Sequence, residues 1–271
     1  MTPVQGSAGQ LLATNFGSPP GITSQDSNVR FLWNLTYWLA IPLGLLVIGL
    51  VLWCVVRYRQ RPGRQGLPRQ FQYHIPIEAA YTIIPLVMVA VVFGFVFKAE
   101  SNIDAVAKNP SAEVRVEGFQ WGWRFTYMRV GGKALAAPQR FEEVGSVANE
   151  PSLNDDSALP VLTLPANVTV QLDLFSDDVN HSFYIPATLF KRDLIQGVSN
   201  TVDMNFVKTG QFIGECTQFC GTFHPYMRFV VNVVPPAQFV QWAGAQVPGS
   251  VTYAGKPINP GIAPNIFGAG N

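Results

Sequence analysis

Two stretches of this chain contain no charged residue and are long enough to cross a lipid bilayer. The first comprises residues 31–56 and the second residues 79–97. As a helix the first measures about 39 Å, and the hydrocarbon core of a bilayer is about 30 Å thick. Helices of this length that are apolar on every side rarely belong to the core of a soluble protein. We therefore predict two transmembrane helices, over about 31–56 and 76–98.

The connection between these helices, residues 57–74, indicates how they are oriented. It contains five arginines and no acidic residue. Short loops rich in Arg and Lys stay on the cytoplasmic side of a membrane. We expect the connection to be cytoplasmic, so that the N-terminal segment 1–30 and everything after residue 100 lie on the outer face.

The composition excludes several other classes of protein. Hydrophobic residues make up 48% of the chain and charged residues 13%, against roughly 25% charged in an ordinary soluble domain. Intrinsic disorder, a collagen-like chain and a disulfide scaffold are inconsistent with these values. There is also no basic patch of the size that neutralises nucleic-acid phosphates, so no nucleic-acid partner is predicted.

Beyond residue 100 the hydrophobic pattern changes from long runs to short alternating segments. Many short strands without a helical period indicate an antiparallel sandwich or barrel, here over residues 101–246. Residues 130–160 break the alternation with Gly, Pro and scattered acids, and we expect a surface loop there. The Gly- and Pro-rich tail 247–271 is expected to be extended. The alternating segments are residues 114–117, 168–174 and 228–233, with similar runs around 122–128, 161–165, 203–208 and 211–215.

One loop of the outer half combines Cys216, Cys220, His224 and Met227 within twelve residues. Two cysteines outside the cytoplasm usually form a disulfide, and with histidines they can bind zinc. Copper is the third possibility, because thiolate, imidazole and thioether are the ligands of copper sites on β-sandwiches. The remaining cysteine, Cys54, lies in the first span and is most simply a small buried hydrophobic residue.

The histidines favour copper among these three. His74 lies on the cytoplasmic side of the second span, so His181, which follows a predicted strand, is the histidine that can join His224. Methionine sulfur is a soft ligand that suits copper and binds zinc poorly. Two thiolates exceed the need of one blue copper, but they can bridge two copper ions.

With these residues in place, the sequence resembles subunit II of the haem–copper cytochrome c oxidases of bacteria over nearly its whole length. That family has a two-helix transmembrane hairpin followed by a cupredoxin-like β-sandwich or barrel on the outer face of the inner membrane. The resemblance is carried by residues 67–70 (Leu-Pro-Arg-Gln), 78–85 (Glu-Ala-Ala-Tyr-Thr-Ile-Ile-Pro), 120–123 (Gln-Trp-Gly-Trp), His181 and the 216–227 loop.

The resemblance implies a dinuclear copper (CuA) centre and a ligand for each position of it. Cys216 and Cys220 would bridge the two ions, and His181, His224, Met227 and the backbone carbonyl of Gln218 would complete the set. Many relatives have glutamate in place of Gln218 and bind magnesium or manganese with it. A neutral amide is a weaker ligand for such a cation, so the resemblance does not extend that second metal to this chain.

The resemblance also implies roles for Trp121 and Glu78. Trp121 would accept electrons from cytochrome c, soluble or tethered, and Glu78 would lie at the mouth of a proton pathway. The chain would pass electrons to haem in the catalytic subunit I, where oxygen is reduced to water and protons are pumped. From the residues alone, Trp121 and Trp123 would share one strand face as core packing, and Glu78 would stabilise a helix start.

Two alternatives have the same anchored architecture. A quinol oxidase subunit II lacks the copper ligands, and a structural domain would hold a disulfide or zinc. The first does not account for the cysteine, histidine and methionine residues, and the second leaves Met227 and Glu78 unexplained.

Overall fold

The computed structural model describes residues 16–59, 63, 66, 70–137, 140–146, 159–253 and 256–258. The chain divides into two compact units, one with two long helices and one with the strands. Residues 20–27, which include the first two residues of the first long helix, belong to the strand unit.

The helical unit consists of α1 (Asp26–Tyr58) and α2 (Ile75–Ile103). Both are longer than the uncharged runs, because polar residues continue the helices past the predicted membrane boundaries. The apolar parts of both helices are exposed along their length. Phe31 of α1 packs edge-on against Phe95 of α2, with 5.2 Å between the ring centroids. Of the five arginines of the connection, Arg57 and Arg59 are described and the other three lie outside the described residues.

Within its described residues, the strand unit contains two sheets and one short α-helix, α3 (Pro236–Gly244). The strands of the described part of the chain are β1 (Ala112–Phe119), β2 (Gly122–Val130), β3 (Lys133–Ala134), β4 (Phe141–Ser146), β5 (Val161–Pro165), β6 (Thr169–Ser176), β7 (His181–Ile185), β8 (Phe190–Leu194), β9 (Asn200–Asn205), β10 (Gly210–Cys216), β11 (Arg228–Val234), β12 (Val251–Tyr253) and β13 (Lys256–Ile258). One sheet has the strand order β13-β12-β4-β2-β1-β6-β9 with β3 added to β2, and the other has the order β5-β11-β10-β7-β8.

The core of this unit forms between the inner faces of the two sheets. Burial alternates residue by residue along β1 and β6, as the alternating sequence predicts. Aromatic side chains from both sheets meet in the centre, where Trp123 and Phe183 each pack against Phe229. The predicted two-helix hairpin followed by a cupredoxin-like β domain is confirmed.

The segment predicted as a surface loop, residues 130–160, is partly strand instead. β3 and β4 occupy its first half, and Phe141 and Glu143 of β4 are buried. The acids did not prevent strand formation, because Glu142 pairs with Arg124 of the neighbouring strand and Glu143 hydrogen-bonds Thr252. Residues 147–158, which include the acids Glu150, Asp155 and Asp156, lie outside the described residues.

Candidate metal centre

The sheet formed by β5, β11, β10, β7 and β8 brings the predicted ligands together at one of its ends. β10 ends at Cys216 and β11 begins after Met227, and the Cys216 N–H donates to the Met227 carbonyl at 3.0 Å. β7 pairs with β10 through Phe183 and Cys216, which places His181, the first residue of β7, beside the cysteine. The cysteine loop, residues 217–227, therefore closes over a histidine that is distant in sequence.

The donor atoms form a continuous chain of short distances. His181 Nδ1 lies 3.9 Å from Cys216 Sγ, which lies 3.9 Å from Cys220 Sγ. Cys220 Sγ lies 3.5 Å from His224 Nδ1 and 3.8 Å from Met227 Sδ. Each cysteine sulfur thus has one imidazole nitrogen beside it.

The two thiols are free, and their separation is far longer than the roughly 2.05 Å of a disulfide bond. A metal–thiolate bond is about 2.3 Å, so one ion can contact both sulfurs of a pair 3.9 Å apart. The set of two thiolates, two imidazoles and a thioether matches the soft ligands that copper prefers. The residues present therefore fit a copper site.

The site is closed on its inner side. His181 and Met227 have no exposed surface, and the two cysteines are 6% and 4% exposed. His224 begins a short 3-10 turn, His224–Tyr226, and is half-buried. Its ring lies 5.9 Å from the ring of Phe219, which is 78% exposed.

The electrostatics of the cysteine pair favour one thiolate before any metal binds. Hydrogen bonding with Cys220 first, and with His181 second, outweighs burial and together lowers the pKa of Cys216 to about 4. The neighbouring Cys216 and burial raise the pKa of Cys220. Burial lowers the pKa of His181, but Cys216 and Asp178 outweigh it, so that pKa is raised. Because metals bind thiolates, a pre-ionised Cys216 favours metal uptake.

Asp178, which the sequence did not single out, lies behind the ring of His181. Its Oδ1 lies 2.9 Å from His181 Nε2, on the side of the ring away from Cys216. Metal-binding histidines usually donate the N–H of their second ring nitrogen to a carboxylate, a backbone carbonyl or water. A signal was present in the sequence, because an acid three residues before the candidate histidine can reach its ring within one turn of the chain.

The prediction that Trp121 and Trp123 share one strand face is wrong. Trp123 lies on β2, is fully buried and faces the core. Trp121 lies in the turn that joins β1 to β2, where strand alternation does not apply, and is half-buried. Its Nε1–H donates to the Cys220 carbonyl at 3.1 Å, and its ring packs edge-on against Phe223 at 5.0 Å.

Gln218 and Glu78 occupy different surroundings. The Gln218 carbonyl oxygen lies 3.2 Å from Cys216 Sγ, while the Gln218 side chain is exposed. Glu78 lies in the first turn of α2, far along the sequence from the metal ligands, and its Oε1 accepts the His74 N–H at 2.7 Å. The structure thus gathers His181, Cys216, Gln218, Cys220, His224 and Met227 in one place, with Trp121 one hydrogen bond away.

A pair of membrane-length helices followed by a cupredoxin-like domain with such a cluster defines a membrane-anchored protein with a candidate copper site. Residues 112–234 match the model of the periplasmic domain of cytochrome c oxidase subunit II. The probable cytochrome c oxidase subunit 2 of Streptomyces avermitilis is 35% identical over 86% of this chain and 83% of its own length. Cytochrome c oxidase subunit 2 of Corynebacterium diphtheriae is 31% identical over 85% of this chain and 75% of its own.

Among solved structures, the periplasmic domain of subunit II of Bradyrhizobium japonicum cytochrome oxidase overlaps 51% of this chain and 95% of its own, with 24% identity and a TM-score of 0.40. The family assignment rests on the sequence relatives. This chain belongs to the cytochrome c oxidase subunit 2 family. It is a membrane protein with two spans and a periplasmic domain, and a subunit of a cytochrome c oxidase complex.

Proposed function

We propose that this chain is the electron-entry subunit of its oxidase and that it holds a dinuclear CuA centre. The observation that carries the proposal is the convergence of two free thiols, two imidazoles and one thioether within a few ångströms. When bound, the copper pair would supply a one-electron redox centre between cytochrome c and the haem of the catalytic subunit. Cys216 and Cys220 would bridge the ions, and His181, His224, Met227 and the Gln218 carbonyl would complete the ligand set.

The protein's own residues fix this site before metal arrives. The sheet holds Cys216 and His181 in register, and Asp178 orients the His181 ring with its Nδ1 towards the sulfur. Burial of Met227 keeps water away from the inner side of the cluster. A rigid and largely dry ligand set limits rearrangement when charge changes, which suits fast electron transfer.

Copper content tests this proposal most directly. The full-length chain, purified in detergent and loaded with copper, is expected to bind two coppers per chain and to give a paramagnetic spectrum with one electron shared by both nuclei. Cys216→Ser should abolish this spectrum, whereas Cys54→Ser, which changes a cysteine of α1, should retain it. One copper with a blue spectrum would remove the bridging assignment. Absence of copper, with a Cys216–Cys220 disulfide that re-forms after reduction, would overturn the proposal and favour the structural alternative.

Trp121 is the proposed point of electron entry from cytochrome c. Its indole is half-exposed and bonds directly to the backbone of Cys220. Trp121→Phe is expected to slow electron entry from cytochrome c strongly and to leave the copper spectrum unchanged. Trp242→Phe, in α3 of the same domain, serves as the matched control. Equal rates for wild type and Trp121→Phe would exclude this role.

Glu78 is the proposed entrance of a proton pathway into the catalytic subunit. An ionisable group at the end of a membrane helix is a functional candidate, although its bond to His74 also fits a helix cap. Glu78→Gln separates the two roles, because glutamine keeps the acceptor oxygen but cannot ionise. Reduced proton pumping by the assembled oxidase is expected. Unchanged pumping would exclude the role in proton entry and retain only the helix-capping role of Glu78.

We also propose that both termini face the periplasm. The domain of residues 112–234 matches the family's periplasmic domain, and two spans return the chain to the side from which it started. Arg57 and Arg59 at the opposite end agree with a cytoplasmic connection. A protease added to intact spheroplasts should cleave a tag placed before residue 16 and spare one placed at residue 63.

A further inference from the structure

Gln120 lies in the turn between β1 and β2 and contacts both segments that supply the candidate copper ligands. Its side-chain Nε2–H donates to the Cys220 carbonyl at 2.7 Å. Its backbone N–H donates to Asp178 Oδ2 at 2.7 Å, and the other oxygen of that carboxylate lies 2.9 Å from His181 Nε2. Gln120 thus connects the cysteine loop to the histidine of β7.

Glycines on both sides allow this turn to lie close against the site. At Gly221, which has φ +121°, a Cβ would lie 2.8 Å from Trp121 Cζ2 and 3.2 Å from Gln120 Nε2. At Gly118 a Cβ would lie 3.1 Å from the His181 ring. Because contacts under about 3.4 Å are tighter than ordinary van der Waals packing, a side chain at Gly221 would displace the Trp121 ring, and one at Gly118 would press on the His181 ring. The turn is therefore fitted to both segments.

The hydrogen bond to Cys220 acts on the direction of its side chain. The Cys220 carbonyl accepts from both Gln120 Nε2 and Trp121 Nε1. Two donors on one carbonyl fix the plane of the peptide that follows Cys220, and with it the direction in which Cα presents Sγ. At the same time the Gln120 N–H holds the carboxylate that orients His181.

We propose that Gln120 is a positioning residue that sets the geometry of His181 relative to Cys220 and so tunes copper binding. This inference rests on the proposed function, in which both residues are copper ligands. The side chain needs both its length and its N–H. Asparagine is shorter by one carbon–carbon bond of about 1.5 Å, and methionine has the length but no donor.

The test compares Gln120→Met with Gln246→Met in the full-length chain. Gln246 also donates through Nε2 to a backbone carbonyl, that of Trp242, and so provides a matched loss of one such bond. Copper affinity is measured by competition with a chelator, the hyperfine pattern by paramagnetic resonance, and the melting temperature on the copper-free protein. Gln120→Met is expected to weaken copper binding about 10- to 100-fold, as loss of a group that supports a metal ligand does. Its hyperfine pattern should also change, while Gln246→Met matches the wild type in both.

Wild-type protein is measured first, so that failure of the proposed function is recognised separately: a wild type without a copper pair would overturn that function itself. If the wild type binds the pair and Gln120→Met binds it equally well with the same hyperfine pattern, the positioning role is excluded. If Gln120→Met melts at a much lower temperature than the wild type, Gln120→Glu is tested instead. Glutamate keeps the side-chain length but presents an ionised oxygen to the Cys220 carbonyl, so the same loss of copper affinity is expected.

A double-mutant cycle with Asp178→Asn tests the connection itself. If Gln120 links the two segments, the combined loss in copper affinity will differ from the product of the separate losses. Agreement with that product within about twofold would mean independent sites and would overturn the linking role.

Discussion

His181 and His224 lie on opposite sides of the same cysteine pair, yet the fold holds them in different ways. His181 starts a strand, has no exposed surface and bonds to Asp178 behind its ring. His224 belongs to a single 3-10 turn, is half-buried and packs against the exposed ring of Phe219.

This difference separates a preorganised side of the site from an adaptable one. On the His181 side the second nitrogen of the ring already has its partner within the domain, and the Asp178 loop is tied to β1 and β2 through Gly118, Gln120 and Arg124. The His224 side depends on the conformation of the cysteine loop. Changes on the first side should therefore be harder to compensate than changes on the second.

The sharpest test of this comparison removes each imidazole and offers a replacement from solution. His181→Gly and His224→Gly should both lose the copper-pair spectrum, which is the largest effect expected here. Added imidazole should restore the spectrum of His224→Gly, because that position opens towards solvent, and should fail at the closed position 181. His74→Gly, directly before the start of α2, controls for general effects of histidine loss. Equal rescue of the two variants would show that burial does not distinguish them.

The next prediction concerns the carboxylate behind His181. Asp178→Asn should weaken copper binding about 10- to 100-fold, since a carboxylate on the second nitrogen orients the ring and raises its basicity. Asp177→Asn is the matched control, because the carboxylate of Asp177 lies next to that of Asp178 in the chain but pairs with Arg124 at 3.3 Å and not with the histidine. Copper competition titrations of both variants check the prediction. A larger loss of copper affinity in Asp177→Asn than in Asp178→Asn would mean that the ion pair between Asp177 and Arg124 matters more than the contact between Asp178 and His181.

A smaller effect is expected at Met227, which is fully buried and lies next to Cys220. Met227→Leu keeps the side-chain volume in a fully buried position, so the free energy of unfolding should fall by less than about 1.5 kcal/mol. The copper spectrum should shift and electron transfer should slow, because the thioether is lost. Met204→Leu, buried in β9 of the same domain, should match in stability and leave the spectrum unchanged. A wild-type spectrum in Met227→Leu would exclude this residue from the site.

The sequence was sufficient to predict the membrane spans, the β domain and the ligand cluster. The spans depend on long uncharged runs, which are local properties, and β1 and β6 alternate because each has one face in the core. The two candidate histidines could be named because the chain has only three histidines, and His74 lies between the two predicted spans.

The contacts that support the ligands were not predictable in the same way. The contacts of Asp178 and Gln120 come from the pairing of β1 with β6 and from a turn that meets the cysteine loop, which bring distant parts of the chain together. β4 was missed because its acids suggest a solvated loop, whereas Glu142 has an arginine partner on the adjacent strand. Such partners become visible only when strand register is known.

The smallest expected effect is a pH dependence on the preorganised side, at Glu117 of β1. Burial raises the pKa of this carboxyl above its ordinary value of 4.5, and Arg124 offsets part of the increase. A carboxyl with a raised pKa in the folded state stabilises the protein when protonated, and this contribution is lost as pH rises from 4.5 through the folded pKa. Glu117→Gln removes that loss, so the variant's stability relative to wild type should improve as pH rises over this window.

Melting temperatures of the copper-free full-length chain between pH 4.5 and 7 check this prediction. Glu113→Gln removes one negative charge four residues earlier on the same strand face and controls for the change in net charge. A relative stability of Glu117→Gln that falls with rising pH would mean that the ion pair with Arg124, at 3.4 Å, outweighs burial. In that case the ionised Glu117 would help to hold Arg124, and through Arg124 the Asp177–Asp178 loop, in place behind His181.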